Sequence, residues 1–231
     1  MRFVKHSTNI PIIPFTESNK TKKNNKAKKN GPLVPENLKG LVIGPSGTGK
    51  TSAVISLITS INGVKYKNLY VYSRSLHQPQ YKYLEKNFEG VKEIGFYPFS
   101  NAEDILEPNE AEPHSLFVFD DLSLSGQKSR QTLFSFGRHY NLDCKLIIQS
   151  YAAILKHLLR DNANFLMIFK QDTQNLKHIY DQHVGSDMDF KTFLKLCDRC
   201  WEDKYSFLVI DCESDVRNGK YRKNFNYFVH L

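Results

Sequence analysis

Short apolar runs alternate with amphipathic stretches along most of the chain, a pattern that predicts strands interleaved with helices. Residues 38–43 read as a buried strand and 49–61 as a helix. Residues 68–72 read as a second strand, 80–88 as a short helix and 93–99 as an extra strand before a loop rich in Glu, Asn and Pro. Residues 115–119 form a strand closed by two aspartates, followed by a helix at 129–140, a strand at 145–148, a helix at 152–162 and a strand at 165–170. Helical pieces cover about 173–184 and 187–197. Two strand-like runs come last, 205–211 and 224–230, with the Asn-Gly turn chemistry of SDVRNGK between them. The order predicts an α/β domain with a mostly parallel central sheet, helices on its faces and a C-terminal strand hairpin.

At 231 residues and 40% hydrophobic content, the chain is long enough to bury one core without disulfides. No apolar run reaches the roughly 18–20 residues needed to span a bilayer, so no membrane partner is expected. The opening MRFVKHSTNIPIIPF is interrupted by Pro11 and Pro14 and does not read as a signal peptide, which favours an intracellular protein. Charge changes the picture at one end. Residues 1–30 hold eight Lys and Arg against Glu17, so +7 of the chain's +8 lies there. SNKTKKNNKAKKN has no large apolar anchor, so 1–30 read as a disordered basic tail and 31–231 as the folded domain. Such a tail can solubilise or target the chain, or clamp a polyanion by counterion release. Cys197 and Cys200 form a C-x-x-C pair, but a zinc site needs two more ligands, and Cys212 and His183 are the only nearby candidates. The thiols read as reduced and partly buried.

The chemistry concentrates at strand ends. GPSGTGKT (Gly44, Pro45, Ser46, Gly47, Thr48, Gly49, Lys50, Thr51) matches G-x-x-x-x-G-K-[ST] between a strand and a helix, the context that the motif demands. Its glycines let backbone N–H groups turn onto phosphate oxygens, and the helix start adds partial positive charge. Lys50 is expected at the β- and γ-phosphates of ATP, and Thr51 on Mg²⁺. SLFVFDD supplies the second element: Asp120 as a Mg²⁺ ligand, direct or through water, and Asp121 to orient the attacking water. A strand between the two motifs resembles the additional-strand, RecA/FtsK-like class of P-loop NTPases. There, the strand beside the P-loop strand ends in a polar sensor, a place that Gln149 takes in KLIIQSY.

Arg138 and Arg160 sit near the ends of the two helices that flank the Gln149 strand. At 1.5 Å per residue, a helix of that length leaves Arg138 roughly 15 Å from its own phosphates. Each arginine is either a cation favoured by a helix C-terminus or a group offered to the ATP of a neighbouring subunit in a head-to-tail ring.

The succession GPSGTGKT, LFVFDD, FGRHYN, KLIIQSY and LLRDNANFLMIFK, over roughly residues 38–212, resembles the viral genome-packaging ATPases of the HerA–FtsK superfamily. The branch it resembles is the poxvirus type, shared with other large DNA viruses, virophages and Polinton-like elements. The resemblance implies ATP hydrolysis coupled to translocation of double-stranded DNA into preformed capsids by a homo-oligomeric ring, usually a hexamer. It implies Gln149 as sensor, Arg138 or Arg160 as the trans-acting arginine finger, capsid proteins as partners and work at the virus assembly site inside the host cell. Virion association is left open. Asp121 departs from relatives that carry Glu there, and the basic tail lies outside the resemblance. The loop at 122–128 is a candidate pore loop. Rival readings are a DNA-transfer or mobilisation ATPase of the same superfamily, a small-molecule kinase, and a nucleotide-binding but non-catalytic DNA-binding protein. DNA-stimulated ATP turnover separates the first reading from the last.

Overall fold

Strand residues here alternate between two cores. In β2 (Leu38–Ile43), Leu38 and Val42 face one core while Leu41 and Ile43 face the other. A sheet buried on both faces needs near-continuous apolar strands, which is why these runs stand out in the sequence. The computed structural model describes residues 2–5, 7–8, 10–11, 30–101, 105–120, 132, 142, 144–149 and 162–231, and for 2–3 and 144–149 the backbone.

After β1 (Arg2–Lys5) and β2 come α1 (Lys50–Thr59), β3 (Asn68–Ser73), α2 (Pro79–Phe88), β4 (Gly95–Phe99), β5 (Ser115–Asp120), β6 (Cys144–Gln149) and β7 (Phe165–Ile168). Next are α3 (Thr173–His183), α4 (Phe190–Cys200), β8 (Leu208–Asp211), β9 (Tyr221–Lys223) and β10 (Tyr227–His230). The strands form one sheet in the order β1-β10-β9-β8-β7-β2-β6-β5-β3-β4. From β7 to β4 all pairings are parallel; β8, β9, β10 and β1 add antiparallel pairs. The predicted mixed α/β P-loop fold is therefore present, with β6 inserted between the P-loop strand β2 and the aspartate strand β5.

Helices α1 and α2 bury Ala53, Val54, Ile55, Tyr81 and Leu84 against one face, and α3 and α4 bury Leu176, Ile179, Phe193 and Leu196 against the other. On that second face two rows of rings cross the strands. Tyr97, Tyr70 and Phe117 stack at 4.6 and 4.8 Å, and Phe99, Tyr72 and Phe119 at 4.7 and 5.3 Å. These cross-strand stacks fix the register of β4, β3 and β5, and hence the position of Asp120 at the end of β5.

Three expectations change. Residues 1–30 do not lie wholly outside the fold: Arg2–Lys5 pair antiparallel with β10, and Ile10 is fully buried in the α1–α2 core. Four residues of alternation are enough to cover a sheet edge, whereas the lysine-rich 12–29 lie outside the described residues. The C-terminal region has three strands rather than two, because Tyr221–Lys223 forms β9 and Asn224 opens the turn at φ 53°. Tyr205 leaves its expected strand and takes φ 66° in a loop. Cys197 and Cys200 are fully buried on the inner face of α4, where burial pushes the Cys200 thiol up to about 12 and raises Cys197 as well. Among the described residues there is no cluster of three or more His, Cys, Asp and Glu fit for a metal, and no helix long and apolar enough to cross a membrane.

Candidate functional site

The loop GPSGTGKT joins β2 to α1 at the C-terminal end of the parallel strands. Gly47 and Gly49 take φ 76° and 96°, a region that penalises any Cβ. At Gly44 the demand is space, since a Cβ there would stand 2.7 Å from Cβ of Phe169. The loop is braced from within. The Thr48 hydroxyl donates to the Pro45 carbonyl at 2.8 Å, and Nζ of Lys50 donates to the same carbonyl at 2.7 Å. The lysine's charge is thus drawn across the loop, at the start of a helix whose first turn contains no acid.

Asp120 meets this loop although 69 residues separate it from Thr51. The Thr51 hydroxyl donates to Oδ2 of Asp120 at 3.0 Å. The same oxygen accepts from the hydroxyl of Tyr81, on α2. Asp120 is 7% exposed and Tyr81 3%, so the carboxylate is held in a largely dry corner. Burial first, then the Asp120 charge, pushes the Tyr81 phenol well above its ordinary range, with opposing hydrogen bonds involving Ser73 and Thr51. Tyr81 therefore stays protonated and acts as a donor. Sequence reasoning missed it, because one aromatic on an amphipathic helix reads as core. The strand register places its neighbours: Ser73 lies opposite Asp120, Asp120 opposite Ile148, and Gln149 opposite Ile43, the residue before Gly44.

The structure thus brings together Gly44–Thr51, Asp120 and the strand end at Gln149. Asp121, Arg138, Arg160 and the candidate pore loop at 122–128 lie outside the described residues, as do the expected helices at 129–140 and 152–162 apart from Thr132 and Asn162. The LLRDNAN segment gains a structural role at its far end. Asn164 accepts from the Lys39 backbone N–H at 2.8 Å and donates to the Asn37 carbonyl at 2.7 Å, so it ties the start of β2 to β7, away from the P-loop. Cys212 and His183 approach to 3.9 Å at that same end of the sheet.

No protein-family model matches the chain. An uncharacterised protein, 075L of Invertebrate iridescent virus 6, is 28% identical over 204 residues, covering 81% of this chain and 75% of that one. Among solved structures, the genome packaging NTPase B204 of Sulfolobus turreted icosahedral virus 2, in complex with AMP, superposes with a TM-score of 0.51 at 11% identity, covering 80% of this chain and 95% of B204. B204, the DNA-packaging ATPase of Sulfolobus turreted icosahedral virus, gives 0.53 at 13% identity, covering 81% and 98%. At such identities the likeness is one of fold, and the chain shares the fold of these P-loop proteins over most of its length.

Proposed function

We propose that the chain is an ATP-hydrolysing motor that moves double-stranded DNA into a viral capsid. The observation that carries the reading is the Thr51–Asp120 contact at 3.0 Å across an inserted strand. It assembles the two halves of a phosphate–metal site from residues far apart in sequence. Two hard oxygen donors beside a P-loop fit Mg²⁺, which would neutralise charge on the β- and γ-phosphates of ATP. Lys50 meets the phosphate oxygens, and the glycine loop excludes side chains from them. Asp121 orients the attacking water, Gln149 senses the γ-phosphate, and Arg138 or Arg160 reaches the ATP of the next subunit in a homo-oligomeric ring, a hexamer by resemblance.

The viral relatives support the direction of this reading: B204 is named as a genome packaging NTPase and a DNA-packaging ATPase, and the sequence relative comes from Invertebrate iridescent virus 6. The poxvirus-type branch, the capsid partners, the host-cell assembly site and a DNA clamp formed by the basic N-terminal segment belong to the same proposal. The test is the ATPase rate with and without double-stranded DNA, together with mass in solution. The reading expects DNA-stimulated turnover by an oligomer; a monomer with turnover indifferent to DNA would overturn it.

A further inference from the structure

We infer that Tyr205 is the platform on which the base of the bound nucleotide stacks, an inference that rests on the phosphate site just proposed. Tyr205 lies in the loop between α4 and β8. Because β8 runs antiparallel to β7, with Leu208 opposite Ile168, the start of β8 lies at the P-loop end of the sheet. It also lies on the flank of β2 away from β6 and β5. A nucleotide whose terminal phosphates face Asp120 has its base directed to the other flank, where Tyr205 stands. The contact is close: a Cβ on Gly49, the last glycine of the loop, would sit 3.4 Å from Cβ and Cδ1 of Tyr205.

Three features mark a built position rather than a stray surface ring. Tyr205 is 54% exposed, more than any other aromatic among the described residues. Its backbone takes φ 66°, a region unfavourable to a bulky side chain that persists only where surroundings enforce it. Those surroundings are present. Asp203 pairs with Lys223 at 2.7 Å, the Phe207 N–H donates to the Asn224 side chain at 3.0 Å, and the Asn224 amide reaches the Ser206 hydroxyl at 3.3 Å. The Lys204 ammonium lies over the ring, 4.7 Å from its centroid, a cation–π contact that helps hold its plane. A phenol ring offers any nucleobase a π face with little rotamer entropy to lose, while the P-loop supplies the phosphate affinity.

The experiment compares Mg·ATP with Mg·tripolyphosphate, which has the phosphates and lacks the base, by calorimetry on the full chain. Tyr205→Asn removes the ring, and asparagine tolerates the left-handed backbone. It should weaken ATP binding roughly 5- to 150-fold, the span produced by losing one base–aromatic stack, and leave tripolyphosphate binding unchanged. Tyr205→Phe should bind ATP as the parent does. Unchanged ATP affinity in Tyr205→Asn, or equal losses for both ligands, would overturn the platform, the second outcome making Tyr205 a support of the loop. If the parent chain binds neither ligand, the phosphate site fails and the platform with it. If the parent binds both and Tyr205→Asn matches it, the platform alone fails.

Discussion

Asp120 and Asp211 each close a strand of the same sheet and are almost equally buried, at 7% and 3% exposure, yet they are held in different ways. Asp120 ends a parallel strand and accepts from the hydroxyls of Thr51 and Tyr81. Asp211 ends an antiparallel strand and is paired with the guanidinium of Arg222, itself 1% exposed. That guanidinium also donates to the Gly219 carbonyl at 2.7 Å and the Leu33 carbonyl at 2.5 Å, and lies 5.5 Å from the Phe228 ring centroid. Its charge is spent on joining β8, β9 and the segment before β2. The comparison teaches that a buried carboxylate is read by its partners: paired with a buried guanidinium it secures the fold, and accepting from hydroxyls beside a P-loop it suits a metal.

Substitutions at the two ends should separate these roles. Lys50→Ala removes the loop's ammonium. It should abolish measurable hydrolysis and weaken ATP binding, while stability without nucleotide stays within about 0.5 kcal/mol of the parent in urea unfolding. Full turnover in this variant would remove the P-loop from the reaction. Asp211→Ala strands a buried guanidinium. It should cost about 3–5 kcal/mol in urea and leave the ATP affinity of the folded protein unchanged. A loss of ATP affinity without a loss of stability would reverse the comparison. Ile10→Ala tests whether the N-terminal segment belongs to the structural end. It should cost about 2–4 kcal/mol, the ordinary loss for a fully buried isoleucine, again with nucleotide binding intact. Tyr81→Phe touches both roles, since it removes one donor to Asp120 and keeps the ring. A loss of roughly 1.5–3 kcal/mol is expected, with a raised Mg²⁺ requirement for turnover. Unaltered stability and Mg²⁺ dependence would reduce Tyr81 to packing.

Legibility in the sequence followed the same divide. Strands β2, β3, β5 and β7 are buried on both faces, so each is an apolar run bounded by polar residues, and their chemistry follows at the strand ends in a recognisable motif. The antiparallel end hid better. Strand β9 is three residues long and carries Arg222 at its centre, which breaks the apolar signal. Strand β1 is RFVK, too short for alternation to register beside a lysine-rich stretch. Tyr205 looked like a strand residue because tyrosine favours strands, and only tertiary contacts hold it in the left-handed region. Tyr81 carried no signal because its role depends on Asp120, 39 residues later.

The pairing of Arg2 with His230 has a consequence for how the molecule comes into being. Of the described strands, β1 is the first to be synthesised, yet its partner β10 is the last, so it must wait for nearly the whole chain before it can dock. Until then the edge with which β1 pairs does not exist. The sheet is therefore closed on that side by a late clasp. The opposite edge strand needs no such clasp, because Pro98 in β4 removes a backbone donor from the rim where another chain could pair.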